Sequence, residues 1–285
     1  MIFKPELLAF PDYTKEEIQR CREGVRPGSC ETGLIVDANN VMYRLAFAAS
    51  DDISNPTEML AMFNERIESV AKDVEANVVI CCIDWGVSLR RSMLGATKKS
   101  EKTPEQEAVI KIARDALHML KDKKDKMNPR AIDGYEADDL AAAFAVSGMF
   151  VHSVIYSTDS DLFQVTNGNG VAQMSPATGA FLSSKIPPEM VPAVKALAGD
   201  SSDNVRGIKG IGPVTAMKVL NGLTVATPND EDTRRVVNNL ALVALPFPGS
   251  FQCLGQECIA WVAKAEVYQE EVYLDDNGLE EDLPF

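Results

Sequence analysis

The segment Asp133-Gly-Tyr-Glu-Ala-Asp-Asp139 decides how the rest of the chain is interpreted. The alanine-rich stretch Leu140–Ala145 that follows has helical propensity, and a glycine interrupts the chain just before it. Glu136, Asp138 and Asp139 are therefore expected on the first turn of a helix, where carboxylates are favoured by the helix dipole. Two acids would meet that need. The third indicates a site where a bound cation balances the charge.

Three short apolar runs predict buried β-strands. They span Gly33–Asp37, Asn77–Asp84 and Val151–Tyr156, and helical patterns such as Pro56–Asp73 separate them. This alternation is typical of a mostly parallel sheet that is covered by helices on both faces. The sequence therefore predicts an α/β core.

Acidic residues follow each predicted strand. The carboxyl ends of parallel strands meet at one edge of a sheet, and ligands of open α/β sheets bind outside that edge. We therefore expect these acids to lie near the acidic helix, although any single aspartate also fits an ordinary turn. The aspartates at the strand ends, together with a later pair at i, i+3 spacing, are Asp37, Asp84, Asp159, Asp161, Asp200 and Asp203.

A cluster of carboxylates needs a cation. Unpaired carboxylates repel one another and raise one another's pKa unless a divalent ion lies among them. Oxygen ligands without His or Cys favour hard ions such as Mg²⁺ or Mn²⁺. Two such ions can activate water and stabilise the entering and leaving oxygens of a phosphodiester. The sequence thus predicts metal-dependent phosphoryl chemistry.

The composition restricts the class of protein without excluding a nucleic-acid partner. The 285 residues carry a net charge of −14, but residues 266–285 hold eight acids and no Lys or Arg. Between Arg90 and Arg130 there are twelve basic and six acidic residues. Six cysteines without C-x-x-C spacing predict reduced thiols in a cytoplasmic protein. We expect no membrane segment and no signal peptide.

A glycine-rich turn predicts contact with a phosphate backbone. Gly207-Ile-Lys-Gly-Ile-Gly-Pro213 leads into the helical pattern Val214–Leu220. Glycines let backbone N–H groups approach a ligand closely, and such contacts read no base sequence. An ordinary helix–helix turn is the alternative. The residues predicted to contact DNA here are Gly207, Lys209, Gly210, Gly212 and Lys218.

Together these segments resemble the 5′-nuclease family, which comprises flap endonucleases, phage 5′-3′ exonucleases and the 5′-nuclease domain of DNA polymerase I. The resemblance covers roughly residues 34–248. The segments that carry it are Val36–Asn40, Gly134–Asp139, Ser157–Asp161 and Gly199–Pro213. It implies an α/β, PIN-like core with a central mostly parallel sheet flanked by helices, a helical arch, and a C-terminal helical domain containing a helix–three-turn–helix.

The resemblance also implies roles for individual residues. One metal ion would be held by Asp37, Asp84, Glu136, Asp138 and Asp159. The second would be associated with Asp161, Asp200 and Asp203, with Asp139 as a nearby or water-mediated ligand. Arg91 and Lys99 would contact the scissile phosphate, with Arg90 and Lys98 as alternatives one residue away. Tyr43 would stack on a base, although a tyrosine facing the core fits its spacing equally.

The expected organisation has four parts. These are an N-terminal extension (1–32), a nuclease core (33–182) with a basic arch near 88–130, a C-terminal helical DNA-binding domain (183–265) with the helix–three-turn–helix near 193–221, and an acidic tail (266–285). The tail ends in Glu280-Glu-Asp-Leu-Pro-Phe285, which resembles the tip of single-stranded-DNA-binding proteins. It predicts docking to a replication protein, and an ordinary acidic tail without a partner is the alternative.

The resemblance implies a phage-type, stand-alone 5′-3′ exonuclease or flap endonuclease for replication, in the cytoplasm of a bacterial cell or an infected host. Its partners would be branched or 5′-ended DNA, including RNA–DNA primer ends. Its cofactors would be two Mg²⁺ ions, replaceable by Mn²⁺, with K⁺ in the helix–three-turn–helix. Two alternatives are a PIN-like ribonuclease, against which the glycine turn and basic segment speak, and a non-catalytic junction-DNA-binding scaffold, against which the acid set speaks.

Overall fold

A six-stranded sheet forms the centre of the structure. In the computed structural model, the described residues are 32–49, 54–93, 102–123, 126–166, 170–226 and 229–247. The predictions for the N-terminal extension up to residue 31, for Lys98 and Lys99, and for the acidic tail lie outside these ranges.

The sheet is mixed and mostly parallel. The strands are β1 (Thr32–Asp37), β2 (Val78–Ile83), β3 (Pro129–Ala131), β4 (His152–Tyr156), β5 (Val171–Met174) and β6 (Phe181–Leu182). Their order is β3-β2-β1-β4-β5-β6, and β6 alone runs antiparallel to its neighbour. The chain leaves β1 towards β2 on one side and reaches β4 on the other. The carboxyl ends of β2, β1 and β4 are therefore adjacent, which is where ligands of such sheets bind.

Helices cover both faces of the sheet. These helices are α1 (Ala38–Ala48), α2 (Pro56–Asp73), α4 (Pro104–Lys121) and α5 (Ala137–Val146), and the short helix α3 (Leu89–Met93) lies between β2 and α4 in the chain. One core joins α1, α2 and α4 to alternate residues of β1, including Leu34 and Val36. The other joins α5 to the residue between them, Ile35. The alternation follows from the period of a strand, which sends successive side chains to opposite faces.

The basic segment near 88–130, where an arch is predicted, contains the helices α3 and α4 among the described residues. Thr103 caps α4 through a capping box with Gln106, and Pro104 fits its first turn. Ala113 and Leu117 of this helix are buried in the same core as α1 and α2. A helix with a buried apolar stripe is part of the core. The described part of the predicted arch is therefore largely a packed helix.

The C-terminal part of the described chain is helical. After β6 come α6 (Val191–Ala198), a two-stranded ladder of β7 (Gly199–Asp200) and β8 (Val205–Arg206), α7 (Pro213–Leu220) and α8 (Asp230–Val243). A third core unites these helices through Val194, Leu197, Ala216, Val236 and Leu240. Across all the described ranges, no helix combines the length and the apolar character that a membrane crossing requires.

Candidate active site

Neutral side chains join the ends of the three central strands. Asp37 begins α1 as its N-cap and accepts the Asn40 N–H at 3.0 Å. The Asn40 Oδ1 atom accepts both the N–H and the hydroxyl of Thr158, which follows β4. Asn39 Oδ1 accepts the Asp84 N–H at 2.8 Å and so reaches the end of β2. The first turn of α1 therefore fixes the ends of β1, β2 and β4 relative to one another.

The loop after β4 is held in the same way. The Ser157 hydroxyl donates to Asp37 Oδ2 at 2.9 Å, and the Asp159 N–H donates to the Ser157 hydroxyl at 3.0 Å. Gln173 on β5 donates its amide to the carbonyls of Ser157 and Asp159. Asp159 in turn accepts the Asp161 N–H at 2.9 Å. Each acid after β4 thus has a fixed backbone position.

The first carboxylate cluster joins the strand ends to the helix α5. Asp84 Oδ1 accepts the Ala137 N–H at 2.6 Å and brings the start of α5 to the end of β2. Oxygens of Glu136, Asp138 and Asp139 lie within 4.8 Å of one another.

Two carboxyl groups of this region resist ionisation. Burial raises the pKa of Asp37 to about 8, the Asn40 hydrogen bond opposes the shift, and the charges of Asp84 and Asp159 add to it. Burial raises the pKa of Asp138 to about 8 as well, against the attraction of Arg90. A cation among these acids would remove the repulsion. Since the donors are oxygens alone, the residues fit a hard divalent ion.

The second cluster contains a cation of the chain itself. Oxygens of Asp161, Asp200 and Asp203 lie within 4.8 Å of one another. The Lys195 ammonium on α6 forms ion pairs with Asp161 and, at 2.7 Å, with Asp200 Oδ2. Burial disfavours ionisation of Asp200, but hydrogen bonds from Lys195 and Ser202 outweigh it and lower the pKa of Asp200 to about 2. The two clusters therefore differ in their electrostatic demand for a further cation.

Arg91 connects the two clusters. Its Nε atom lies 3.2 Å from Glu136 Oε1, and its Nη2 atom lies 3.0 Å from Asp203 Oδ1. The side chain is 27% exposed, so part of it is open to solvent. The preceding residue, Arg90, is only 4% exposed and points into the protein. Of the two arginines considered from the sequence, Arg91 contacts both acid clusters, whereas Arg90 forms its ion pair with Asp139 of the first cluster. Lys99 and Lys98 lie outside the described residues.

Asp139 lies beside Glu136 and Asp138, but its carboxylate is engaged by other partners. It is 1% exposed and forms an ion pair with Arg90. Its Oδ1 atom also accepts the Phe247 N–H at 3.1 Å, and its Oδ2 atom accepts the Glu136 N–H at 3.2 Å. Both oxygens therefore already accept hydrogen bonds within the protein.

The ring of Tyr43 packs against the core, and its hydroxyl lies near the acids. Its ring packs against the core on the α1 side of the sheet. Burial raises the pKa of its hydroxyl, as does the charge of Asp84, while Arg114 and Asn39 hydrogen-bond to that hydroxyl. The polar end of the ring thus lies at the edge of the acid region. Base stacking by Tyr43 stays a prediction.

The three glycines of the turn have different surroundings. A Cβ on Gly207 would collide with the backbone of Ala198 and Gly199. A Cβ on Gly210 or Gly212 would meet no atom within 4 Å, and Gly210 has a φ of +85°. Gly207 is therefore needed for packing, whereas Gly210 and Gly212 leave room for a ligand to approach.

Two lysines beside these glycines in the sequence are exposed to solvent. They are Lys209 in the turn and Lys218 in the helix α7 that follows it.

Several residues at the site were not selected from the sequence. Lys195, Asn39, Asn40 and Ser157 all touch the acids or their backbone. Asn39 and Asn40 could have been found, because they directly follow a strand-end aspartate at the start of a helix. Lys195 precedes Asp200 by five residues, and no local pattern marks it.

Comparison with solved structures supports the fold. The D15 protein of bacteriophage T5, co-crystallised with metal ions, matches 84% of this chain and 99% of its own with a TM-score of 0.63 at 22% identity. The D15 flap endonuclease in a complex with DNA and metal ions gives a TM-score of 0.61, also at 22% identity, over 85% of this chain and all of that one. The predicted α/β class with a mostly parallel sheet is confirmed.

Relatives of known activity are similar along much of the chain. The 5′-3′ exonuclease of Aquifex aeolicus is 29% identical over 207 residues, which cover 67% of this chain and 69% of the relative. That of Bacillus subtilis is 27% identical over 242 residues and 77% of either chain. A DNA polymerase I of Lactococcus lactis is 27% identical over 212 residues, which cover 66% of this chain and 24% of the polymerase.

The chain thus spans about two thirds to three quarters of the stand-alone exonucleases and about a quarter of the polymerase. The model of the 5′-3′ exonuclease N-terminal, resolvase-like domain matches residues 32–187, more than half of the chain, and includes Asp37, Asp84, the acid helix and the acids after β4. The resemblance seen in the sequence is therefore confirmed, and this chain belongs to the 5′-3′ exonuclease family.

Proposed function

We propose that this chain is a structure-selective 5′-nuclease, acting as a 5′-3′ exonuclease or flap endonuclease on DNA at single-strand/double-strand junctions. One observation carries the proposal: two clusters of carboxylates meet at the carboxyl edge of the sheet, and Arg91 bridges them. Membership of the 5′-3′ exonuclease family supports it. So does the likeness to a flap endonuclease bound to DNA and metal ions.

The acids would hold two Mg²⁺ ions, and Mn²⁺ would substitute for them. The first group consists of Asp37, Asp84, Glu136, Asp138 and Asp159, and the second of Asp161, Asp200 and Asp203. When bound, such ions supply Lewis acidity and a water of lowered pKa for phosphodiester hydrolysis. The raised pKa of Asp37 and Asp138 supports the first site in particular, because a cation there would offset the cost of ionising these two carboxyl groups.

The residues of the chain itself orient the acids and the phosphate. Asn39, Asn40 and Ser157 fix the strand ends, so the carboxylates need little rearrangement to bind a cation. The partly exposed Arg91 would donate to a phosphate lying against both clusters, and guanidinium groups suit such charge. Lys99 would be a second phosphate contact.

The turn between α6 and α7 would bind the phosphate backbone of the duplex. Gly210 and Gly212 leave open space above the backbone, and Lys209 and Lys218 are exposed beside them. Pro213 starts α7, whose amino end suits a phosphate. A K⁺ ion in this turn belongs to the same proposal. Binding of this kind recognises DNA shape without reading its sequence.

The biological setting that fits these features is replication, in the cytoplasm of a bacterial cell or a phage-infected host. The substrates would be displaced flaps and primer ends, including RNA–DNA primer ends. The acidic tail ending in Leu283–Phe285 would recruit a replication protein with a basic, apolar-lined pocket. A pull-down with and without Leu283–Phe285 tests the tail, and equal capture of replication proteins by both forms removes that part.

Digestion of a 5′-labelled flap in Mg²⁺ tests the proposed activity. The wild-type chain should release short 5′ products, and Asp159→Asn combined with Asp161→Asn should abolish release. Glu65→Gln, an exposed change on α2, serves as the matched control. Cleavage that persists in the double variant refutes the site. Junction binding without wild-type cleavage favours a scaffold, and cleavage of RNA alone favours a ribonuclease.

A further inference from the structure

Arg90 lies at a buried junction of three parts of the chain. It belongs to the short helix α3 and is 4% exposed. Its Nη2 atom forms an ion pair with Asp139 on the first turn of α5. Its Nη1 atom donates to the carbonyl of Leu242 at 2.8 Å, and its guanidinium lies 5.2 Å from the centre of the Phe247 ring. One guanidinium thus joins α3, α5 and the segment 242–247.

A second polar contact fastens the same segment to the acids after β4. The Gln164 amide donates to the carbonyl of Asp161 at 2.7 Å and to that of Val243 at 3.0 Å. Its Oε1 atom accepts the Leu245 N–H at 2.7 Å. The segment 242–247 is therefore tied both to the acid helix and to the turn that carries Asp161. Of these two attachments, Arg90 makes the one to the acid helix α5.

The partners of Asp139 leave it little capacity to bind a metal ion. Arg90 and the Phe247 N–H engage Oδ1, and the Glu136 N–H engages Oδ2. The side chain is almost inaccessible at 1% exposure. The neighbouring Asp138 is half-buried, accepts the Asp139 N–H at 2.8 Å through Oδ1, and faces the charges of Glu136, Asp159 and Asp84.

We propose that Arg90 is a positioning residue that withdraws Asp139 from the metal-ligand set and anchors α3 so that Arg91 reaches both carboxylate clusters. The inference rests on the proposed function, because it concerns the same acid site. Two consequences follow. Removing the Arg90 charge releases Asp139 as an additional oxygen ligand and removes a repulsive charge near the cation. It also loosens α3, which carries Arg91.

The expected signature is tighter metal binding together with slower cleavage. A residue with a merely structural role would weaken both when removed. The full chain is titrated with Mn²⁺ alone, and free Mn²⁺ is followed by electron paramagnetic resonance. Arg90→Gln should bind the tightest-bound Mn²⁺ about tenfold more strongly than wild type, because a nearby positive charge is lost and a carboxylate is gained. Its kcat on a 5′-flap in Mg²⁺ should fall by at least about tenfold, with a smaller change in KM.

Three further variants separate the causes. Arg90→Gln combined with Asp139→Asn should return Mn²⁺ affinity to within about threefold of wild type while kcat stays low, because the freed carboxylate is gone and α3 is still unanchored. Arg90→Lys keeps the charge beside Asp139 and should leave Mn²⁺ affinity unchanged, but a single ammonium cannot reproduce the planar contacts of a guanidinium, so kcat should still fall. Lys111→Met, in an exposed ion pair on α4, is the control.

The outcomes are decisive in either direction. Mn²⁺ binding by Arg90→Gln that equals or falls below wild type overturns the withdrawal of Asp139, and so does an equal gain in Arg90→Lys. If Arg90→Gln does not fold, Arg90→Lys with wild-type kcat is enough to overturn the anchoring of α3. A wild-type chain that neither takes up Mn²⁺ nor cleaves the flap refutes the proposed function itself. A wild type that does both, beside indifferent Arg90 variants, refutes only the role of Arg90.

Discussion

Replacing Asp37 by Asn should stabilise the ion-free protein at pH 8. The Asn side chain keeps an oxygen for the Asn40 N–H and so retains the cap of α1. It removes a charge that the folded protein opposes, since burial and the charges of Asp84 and Asp159 raise the pKa of Asp37 to about 8. The variant therefore gains stability in the state where the wild type carries a buried carboxylate.

The sign of the pH dependence follows from the direction of the shift. A carboxyl whose pKa is higher in the folded than in the unfolded chain binds more protons when folded, so stability falls as pH rises. The loss begins near the ordinary value of 3.8 and is complete above about 8. At about 1.4 kcal/mol per pKa unit the full shift sets a ceiling of about 6 kcal/mol, and relaxation of the neighbouring acids should leave about 2–4 kcal/mol.

Thermal unfolding in EDTA between pH 4.5 and 9 measures this effect. Asp37→Asn should melt about 5–10 °C above wild type at pH 8 and within about 3 °C of it at pH 4.5. Saturating Mn²⁺ should reverse the order, because ligand binding to the folded state stabilises the wild type and the variant lacks one ligand. Glu65→Gln should follow wild type throughout. A variant that melts below wild type at pH 8 in EDTA would refute the electrostatic reasoning.

Three other changes test separate parts of the site. Lys195→Met should destabilise the ion-free protein, because the acids of the second cluster lose their internal cation. For the same reason it should tighten the weaker Mn²⁺ site by about tenfold in the Mn²⁺ titration followed by electron paramagnetic resonance; weaker binding would contradict this. Gly207→Ala should cost about 3 kcal/mol or more in urea unfolding because its Cβ meets backbone, whereas Gly212→Ala should leave stability within about 1 kcal/mol and weaken only junction binding. Tyr43→Phe should keep flap KM within about threefold of wild type and Tyr43→Leu should raise it by about tenfold, if the ring stacks on a base; equal values would assign the ring to the core.

The central strands and their acids could be predicted because local patterns and one topological rule suffice. The run that ends in Asp37 and the run that ends in Asp84 are continuous and apolar, as strands buried on both faces must be. Parallel pairing then brings their carboxyl ends together without further information. The short strand Pro129–Ala131 was missed because three residues carry no periodicity.

The helix α4 shows how a charged segment can contain a core element. It carries three basic and three acidic residues, yet Ala113, Leu117 and Leu120 recur at helical spacing and are buried. A helix needs only one apolar stripe to pack, and its other face can carry any charge. The buried stripe of α4 follows from the period of its apolar residues, and the bounds of the arch stay a prediction.

The pairings that control the charges of the site could not be predicted from the sequence. Arg90 and Asp139 are 49 residues apart, and Arg91 and Asp203 are 112 apart. Which of two adjacent arginines reaches both acid clusters depends on the orientation of a five-residue helix against α5. Such contacts are decided by packing, since neither spacing nor propensity distinguishes the two residues.

The joints between the strand ends consist of amides and hydroxyls, which keep their hydrogen bonds at any pH. Asn39 and Asn40 accept the backbone N–H groups of Asp84 and Thr158 and so link β1, β2 and β4 without using a carboxylate as acceptor. The side chains that link the strand ends are thus different from the acids that would bind the metal ions. Inactivated forms made by neutralising one acid should consequently keep the native architecture, which would suit them to trapping an intact substrate for crystallography.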